Sequence, residues 1–543
     1  MTNNLRNNAT EKQGSNKLVL ALVIAFVMLF AVDYLEQKYA PAQAVEAVNP
    51  LTPNKGDLFT NKTPQLTEIK PVEMQTENYD VQLDLIGGKI TKLDLLNYVE
   101  VKGEDKLVSI FSPKDEESKV GMLFDAGWLS NKFSTPDANT VWAVDSQDAD
   151  SVVLSYKNDK LTFYRTFLFN EDNFLTNVED KVINNSNEAI QIAHYSQIHH
   201  IGEREDKLAN SFTNFTGPEA MIDAEKTQAD YKDLQDGQSF EVEGKNVWAG
   251  VTRQYFAGVI IPDNANTNTV KIKYNKVGED NYYTVLVRSH VKSLQAGANL
   301  TEKFQVYAGP KSTKVLEEQP VAEEIRLPSM LDYGWFHVIA KAIFDAMMFV
   351  DQYVNSLALS IIIITLGLKI VLFPLANKSY VSMAKMRKIQ PEMKALQEKH
   401  GDDRQTLGLE MMNLYKKHQV SPASGCWPIL IQIPIFFAMY KVILMSFEFR
   451  QAELGFWIHD MSMKDPFFVL PILMGISMIV QQRMNPQPLD ETQKMVMNVM
   501  PIAFTVLFLF FPAGLVLYWL TNNVLSIAQQ YIIMKREDAK DSK

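Results

Sequence analysis

The sequence predicts a polytopic α-helical membrane protein with six transmembrane helices, a large all-β domain outside the cytoplasm and a helical hairpin inside it. Six apolar segments account for the transmembrane helices. About 260 residues of short alternating strands and polar turns lie between the first two apolar segments, which is typical of a β-sandwich. Lys and Arg concentrate in the loops assigned to the inside, as the positive-inside rule requires.

The charge distribution supports parts on two sides of a membrane. The net charge of the 543 residues is −11, but residues 33–351 hold 49 Asp and Glu against 31 Lys and Arg, and the rest of the chain is basic. A nucleic-acid-binding protein would carry a basic domain instead, so we predict no direct nucleic-acid partner. The single cysteine, Cys426, excludes an intrachain disulfide, and we expect it to be a small packed residue.

The N-terminal region allows two interpretations. Residues 1–17 are polar and basic, and residues 18–35 are apolar. The apolar run is either a cleavable signal peptide that ends near Ala40-Pro41-Ala42 or an uncleaved transmembrane anchor, and its length favours the anchor. In both cases the N-terminus is predicted to be cytoplasmic. Residues 36–65 are rich in Pro, Thr and Asn, which indicates a linker.

Residues 66–325 predict the β-domain. Val81 and Leu83 alternate with polar residues, and Asn158-Asp159 separates two alternating runs as a hairpin turn does. The adjacent His199-His200 and the scattered carboxylates lack metal-ligand spacing, so we predict no metal site, no cofactor and no catalytic residue. A membrane-tethered carbohydrate-active enzyme, with its chemistry in this domain, is the alternative.

The chain after the β-domain predicts an interfacial helix, five further transmembrane helices and a cytoplasmic hairpin. In residues 328–351, His337, Lys341 and Asp345 recur every four residues, as in a helix that lies along the membrane surface. A helix docked on the next domain is the alternative. The remaining predicted segments are transmembrane helices at 354–376, 427–447, 466–482, 495–511 and 513–534, the hairpin at 377–426, a periplasmic loop at 448–465 and a cytoplasmic tail at 535–543.

The predicted hairpin has a strongly basic face. Apolar residues keep helical spacing on both sides of a turn at Gly401-Asp402-Asp403, and we expect Pro391 to interrupt or restart the first helix. The face is either solvated beside anionic lipid headgroups or a docking surface for a ribosome or another large acidic partner. Its basic residues are Lys385, Arg387, Lys388, Lys394, Lys416 and Lys417.

A lysine inside the apolar segment 354–376 is the most informative single residue. A charge at the centre of a membrane helix costs about 3 kcal/mol on insertion scales, so Lys369 either lines a cavity or extends its side chain to the headgroups. For a straight helix that ends at Ala376, Lys369 lies about 9–10 Å from the cytoplasmic end. Gln432 lies about 8 Å deep in the next helix by the same rise.

The polar residues of the predicted helices gather in the cytoplasmic half of the membrane, whereas the outer halves are largely Ile, Leu, Phe and Val. This distribution predicts a wet, positively charged groove that opens to the cytoplasm and does not cross the bilayer. Its predicted residues are Lys369, Thr365, Gln432, Tyr518, Trp519 and Asn522. A transporter that uses Lys369 as a substrate or proton site is the alternative, but the paired repeats and the polar groups on both sides of the midplane expected for one are missing from the sequence.

Six motifs resemble those of the bacterial YidC membrane-protein insertases. They are Met383–Pro391, Gly425–Pro428, Leu430–Phe436, Trp457–Asp460, Leu470–Gly475 and Phe511–Tyr518. The order of anchor, linker and large β-domain resembles the Gram-negative form, whose periplasmic domain is a β-supersandwich. The conserved Arg of the family's groove is Lys369 here, which keeps the charge and loses the bidentate fork. The family's Tyr-Tyr pair is Tyr518-Trp519.

The resemblance implies an insertase and chaperone of the bacterial inner membrane, with both termini cytoplasmic and the β-domain periplasmic. It further implies four kinds of partner. They are nascent inner-membrane proteins, the Sec translocon, the ribosome with the signal recognition particle pathway, and membrane lipids.

Overall fold

The computed structural model describes residues 69–114, 119–202, 215–400, 403–420, 427–486 and 491–541. The predictions for the N-terminal segment, the anchor, the linker and Cys426 lie outside these residues. The described residues fall into two compact units, which divide between residues 331 and 332. We call the first the β unit and the second the helical unit.

The described part of the β unit contains strands β1 to β19 and two short helices, α1 at Tyr231–Gln235 and α2 at Thr313–Glu317. The strands are Val72–Gln75, Tyr79–Asp84, Lys89–Val99, Leu107–Phe111, Gly121–Ser130, Ala143–Gln147, Ser151–Lys157, Leu161–Phe169, Leu175–Asn184, Ile190–Ile201, Gly217–Ile222, Glu225–Gln228, Phe240–Gly244, Trp248–Thr252, Phe256–Pro262, Asn268–Val277, Asp280–Ser289, Lys292–Leu294 and Asn299–Pro310.

The strands form two antiparallel sheets, and the predicted β-sandwich is confirmed. The first sheet has ten strands in the order β1-β2-β3-β5-β10-β17-β16-β13, with β4 on β3 and β18 on β10. The second has nine strands in the order β12-β11-β14-β15-β19-β9-β8-β7-β6. The hairpin expected at Asn158-Asp159 joins β7 to β8. Alternation buries one face of strands such as β2, where Tyr79, Val81 and Leu83 are buried.

A buried ion pair lies between the sheets. In β8, the Arg165 side chain points to the same buried face as Phe163 and Phe167. Its Nε and Nη2 donate to the two carboxylate oxygens of Asp180 on β9, each at 2.7 Å. His194 of the first sheet donates to Asp180 at 2.9 Å, and the guanidinium lies 5.1 Å from the ring of Trp142. Burial by itself raises the pKa of the Asp180 carboxyl, but Arg165 and His194 hold that pKa well below its usual range.

The described part of the helical unit contains eight longer helices. They are α3 at His337–Val354, α4 at Leu357–Val371, α5 at Phe373–His400, α6 at Arg404–His418, α7 at Trp427–Met445, α8 at Val469–Met484, α9 at Glu491–Phe508 and α10 at Ala513–Asp541. Short 3-10 helices lie at Gly334–Phe336 and Phe447–Phe449, and a third, at Leu327–Met330, lies near the end of the β unit.

The prediction of a single helix at 354–376 is wrong near its C-terminal end. The helix breaks at Leu372, where α4 and α5 meet at an angle of 69°. Pro374 explains the break, because its ring would clash with the carbonyl of residue 370 in a continuous helix, whereas the first turn of a new helix tolerates it. Lys369 therefore lies two residues before the end of α4, and the depth calculated for a straight helix does not apply.

Pro391 was expected to interrupt the hairpin, and this expectation is also wrong. Helix α5 continues through Pro391 to His400. Pro391 and Arg387 are both exposed, so water can satisfy the Arg387 carbonyl, which the proline leaves without a donor. The turn between α5 and α6 falls mostly on residues outside the described part of the chain. Helix α10 continues to Asp541, through most of the segment predicted as a tail.

Helix α3 occupies most of the predicted interfacial segment. One of its faces, which includes Ile343 and Met347, is buried, while Val338 on another face is 82% exposed. Within the described residues, no single helix is both long and apolar enough to cross a membrane, but the bent pair α4 and α5 passes the same test together. Shorter apolar helices lie at Leu430–Met445, Val469–Met484 and Lys494–Phe508.

The buried pair in the β unit generates a stability prediction. Replacing Asp180 by Asn leaves the Arg165 guanidinium buried without its carboxylate, and breaking such a pair costs about 3–5 kcal/mol. We therefore expect Asp180→Asn to lower the urea midpoint of the β unit strongly, measured by tryptophan fluorescence of the full chain. The neighbouring Glu179→Gln is the control, because its pair with Lys303 is exposed.

The stability that Asp180 contributes to the β unit depends on pH in a defined direction. The folded-state pKa of Asp180 is depressed, so its contribution is fully present above the unfolded pKa of about 4 and is lost as pH falls through the lower folded value. The difference in urea midpoint between wild type and Asp180→Asn should become smaller below about pH 4. Equal midpoints for the two proteins at neutral pH would contradict this account.

Candidate functional site

Helix α10 is the hub of the helical unit, because it packs against α4, α5, α7 and α8. Tyr518, Asn522 and Ser526 recur every four residues and therefore lie on one face. All three are buried, at 1%, 7% and 3% exposure. Hydroxyl and amide groups are unusual in so apolar a bundle, and each needs a partner there.

Lys369 is held against this face. Its Nζ donates to the Ser526 hydroxyl at 2.7 Å, and that hydroxyl donates to the Asn522 carbonyl at 2.7 Å. Tyr380 of α5 also interacts with Ser526. Lys369 lies in the last turn of α4, where the helix dipole favours a cation. In the described part of the chain, no carboxylate lies within ion-pair distance of Lys369.

Gln432 joins a second helix to the same face. Its amide nitrogen on α7 donates to the Tyr518 hydroxyl. The structure therefore brings together four of the six predicted groove residues, and it adds Ser526 as the direct partner of the lysine. We call Lys369, Gln432, Tyr518, Asn522 and Ser526 the polar groove, the name of the feature that the sequence predicts; that they line an open groove stays a prediction.

The other two predicted residues have different surroundings. Thr365 is buried one turn before Lys369, and its hydroxyl donates to the Ile361 carbonyl at 2.6 Å. Trp519 faces away from the polar groove into an aromatic cluster, with ring centroids 4.9 Å from Phe436 and 5.5 Å from Phe508. One residue along a helix turns the side chain by about 100°, which explains why Trp519 and Tyr518 have different neighbours.

The pairing of Lys369 with Ser526, and the contact of Tyr380 with the same serine, were missed from the sequence. The four-residue repeat from Tyr518 to Ser526 could have indicated Ser526. Tyr380 carried no such signal, because it lies beyond the bend at Leu372.

A further set of polar contacts ties α10 to the region of α8. Asn523 donates to the Ser477 hydroxyl, and Gln530 donates to the side chain of Asn485, both at 3.0 Å. Asn523 follows Asn522 directly, and Gln530 continues the four-residue repeat from Ser526, so these contacts lie beside the row of Tyr518, Asn522 and Ser526. They tie this side of α10 to the region of α8, which stabilises the position of the polar groove.

The predicted basic docking surface lies on α5 and α6. These helices pack through a small apolar core that includes Ile389, Met393 and Leu414. All six predicted basic residues are exposed. Lys388 also contacts the end of α10, at 3.1 Å from the Glu537 carbonyl and 3.4 Å from the Asp538 carboxylate.

Comparison with known proteins defines the class first. The family model described as the 60Kd inner membrane protein matches residues 349–540, and the one described as the YidC periplasmic domain matches residues 71–346. The two matches are those of an inner-membrane protein with a periplasmic domain.

The relatives then identify the family. The membrane protein insertase YidC of Magnetococcus marinus is 35% identical over 97% of this chain and 100% of its own length. That of Rickettsia bellii is 34% identical over 95% of this chain and 98% of its own. A solved structure of an active YidC insertase covers 94% of this chain and 99% of its own at 15% identity, with a TM-score of 0.37. The chain belongs to the YidC family of membrane protein insertases.

The contact between Lys369 and Ser526 generates a double-mutant prediction. Hydrogen bonds between membrane helices contribute about 0.6–2 kcal/mol. We expect Lys369→Met and Ser526→Ala to be non-additive by an amount in that range, measured as the free energy of unfolding in detergent. Ser477→Ala is the control, since Ser477 contacts Asn523 instead, and its effect should add to that of Lys369→Met. Additive effects of Ser526→Ala would contradict the pairing.

Proposed function

We propose that this chain is a membrane protein insertase whose polar groove receives the hydrophilic flank of a nascent transmembrane segment. The observation that carries the proposal is the ammonium group of Lys369, which is tied to a hydroxyl and to no carboxylate in the described residues. A cation held in this way attracts an anion. The short acidic flank of a membrane protein client supplies one.

The exchange of partners at Lys369 is the central step. A client carboxylate that enters the groove replaces the Ser526 hydroxyl as the acceptor of the lysine, and a charge-assisted hydrogen bond replaces a weaker one. Lysine suits this exchange, because its ammonium is a point charge on a flexible stem and does not require one bidentate geometry. Gln432 and Tyr518 then offer amide and hydroxyl groups to the remaining polar atoms of the flank.

The apolar part of the client needs a different surface. Helix α9 exposes a continuous apolar stripe with helical spacing, formed by Met495, Val499, Ile502 and Val506. Leu430 on α7 is exposed as well and lies two residues from Gln432. We assign these residues as the wall along which the client's apolar segment enters the lipid.

The magnitudes favour insertion. Twenty apolar residues at about −0.5 kcal/mol each provide about −10 kcal/mol on insertion scales. One carboxylate crossing the bilayer centre costs about 3 kcal/mol on the same kind of scale, and the groove lowers that cost by pairing the charge. Hydrophobic transfer therefore exceeds the cost of a short acidic flank. No separate energy-coupling site is needed for such clients.

The proposed topology has six transmembrane helices with both termini in the cytoplasm, and the β unit in the periplasm. Its support is the distribution of Lys and Arg, of which nine fall between residues 377 and 420. On this topology the polar groove opens toward the side that carries the basic docking surface. The Sec translocon, the ribosome with the signal recognition particle pathway, and membrane lipids are the proposed partners. A ribosome or another acidic partner would dock on α5 and α6.

The charge of Lys369 provides the test of this function. Wild type and the variants Lys369→Arg, Lys369→Gln and Lys369→Glu are reconstituted into vesicles, and insertion of a single-span client with a short acidic flank is measured by protease protection. We expect Arg to support insertion, Gln to reduce it by about tenfold, as a lost ion pair of about 1.4 kcal/mol implies, and Glu to reduce it further.

A client with a neutral flank is the control in the same vesicles. Its insertion should change little among the four proteins, because it offers no carboxylate to the groove. If all four proteins insert the acidic client equally well, Lys369 has no part in translocation, and the proposal for the polar groove fails.

A further inference from the structure

The outer loop, residues 446–468 between α7 and α8, exposes the ring of Phe456 on a backbone of positive φ. A tight turn closes at its centre, with backbone bonds from Leu454 N to Ile458 O at 3.1 Å and from Ile458 N to Gly455 O at 3.2 Å. Phe456 lies within this turn with φ of 60° and is 91% exposed. A bulky side chain rarely adopts positive φ, and glycine normally occupies such a turn position.

The surroundings enforce this conformation. Ile458 is 1% exposed in the core of the helical unit, and the Trp457 indole donates to Asp465 at 2.9 Å. Asp465 is itself buried and accepts from the backbone N–H groups of Phe467 at 3.0 Å and Leu470 at 2.8 Å. The turn is therefore anchored on both sides of Phe456, and the exposure of its ring follows from a fixed backbone.

The loop is also attached to the corner between α9 and α10. The backbone N–H of Ala513 donates to the Met463 carbonyl at 2.7 Å, and that of Gly514 donates to the Met461 carbonyl at 2.9 Å. The ends of four helices are thus joined through one loop.

Helix length places this loop at the membrane interface. Helix α8 has 16 residues and is about 24 Å long, whereas the hydrocarbon core is about 30 Å thick. Residues immediately before α8 therefore still lie at the edge of the lipid. Phe467 is 67% exposed there, and the exposed Ile472 and Ile476 continue the same apolar surface along α8. Phe510, 70% exposed, follows the end of α9 at the same corner.

We propose that Phe456 is a fixed lipid contact whose ring inserts into the outer leaflet of the membrane. The ring of Trp457 lies 6.1 Å from that of Phe456 and its indole bonds to Asp465 just before α8, so the turn is linked to the exposed apolar surface of that helix. This link identifies lipid as the occupant, and aromatic rings are favoured at this depth. On the two sides of the turn, the Glu453 carboxylate and the His459 imidazole lie 3.6 Å apart. The ring would thereby hold the outer ends of α7 and α8 at a constant depth.

Site-directed spin labelling of the full chain in vesicles tests this inference. In a Cys426→Ser background, nitroxide labels are placed by Phe456→Cys, Glu453→Cys and Ile476→Cys, and collision with oxygen is compared with collision with a water-soluble nickel chelate. We expect the oxygen-to-nickel ratio at 456 to be several-fold higher than at 453 and close to that at 476.

Other collision ratios at positions 456 and 476 would contradict different parts of the account. A nickel-accessible label at 456, with 476 in lipid, overturns the inference and leaves the proposed insertase intact. Low collision with both reagents, together with spin–spin broadening, also overturns it and identifies a second copy of the chain as the occupant. The inference depends on the proposed membrane placement, and a nickel-accessible label at 476 would show that this placement itself is wrong.

A photoreactive side chain keeps the aromatic ring and provides a second readout. Phe456→benzoylphenylalanine should give a mass increase of one phospholipid after irradiation in vesicles. An adduct with another protein chain, or no lipid adduct while the same substitution at Ile476 gives one, would contradict the inference.

Discussion

The hydrogen bond between the Lys369 ammonium and the Ser526 hydroxyl is the contact on which the helical unit depends. A charge in an apolar helix needs polar partners, and a single neighbouring helix supplies them here. Helix α10 provides Ser526 on the same face as Asn522 and Tyr518, so one strip of its surface is polar while the bundle around it is apolar. The position of α10 and the position of the charge are therefore coupled.

The bend at Leu372 has a direct consequence for this contact. Because Pro374 ends α4, the following helix α5 leaves at 69° and carries Tyr380 back toward Ser526. A straight helix would have continued away from α10. The same break leads the chain into α5 and α6, so Lys369 and the basic surface of these helices are connected through a single backbone break.

Local patterns in the sequence predicted local structure well. Alternation predicted strands such as β2 and β8, and Asn158-Asp159 predicted the hairpin between β7 and β8, because these features depend on neighbouring residues. The order of strands in the two sheets could not be predicted, since it depends on contacts between residues far apart in sequence. The continuous helix at Pro391 differed from expectation for a local reason, because an exposed proline leaves a carbonyl that water can satisfy.

The sequence predicted most of the residues of the candidate site but not the hydrogen bonds between them. Charge and polarity identified Lys369, Gln432, Tyr518 and Asn522, because polar residues in apolar segments are rare enough to be informative. Ser526 was missed as the partner of the lysine and Tyr380 as a neighbour of Ser526, since Ser and Tyr are common in helices and only the fold brings them together. Trp519 was included for its aromatic bulk, yet its position one residue from Tyr518 turns it into a different cluster.

The most direct test of the account is to locate both parts of a client during insertion. Photoreactive residues at Gln432 in the polar groove and at Ile502 on the apolar stripe are irradiated while a ribosome-stalled client with an acidic flank is engaged. The account predicts that position 432 crosslinks to the acidic flank and position 502 to the apolar segment. Equal crosslinking of the flank from both positions, or none from 432, would contradict it.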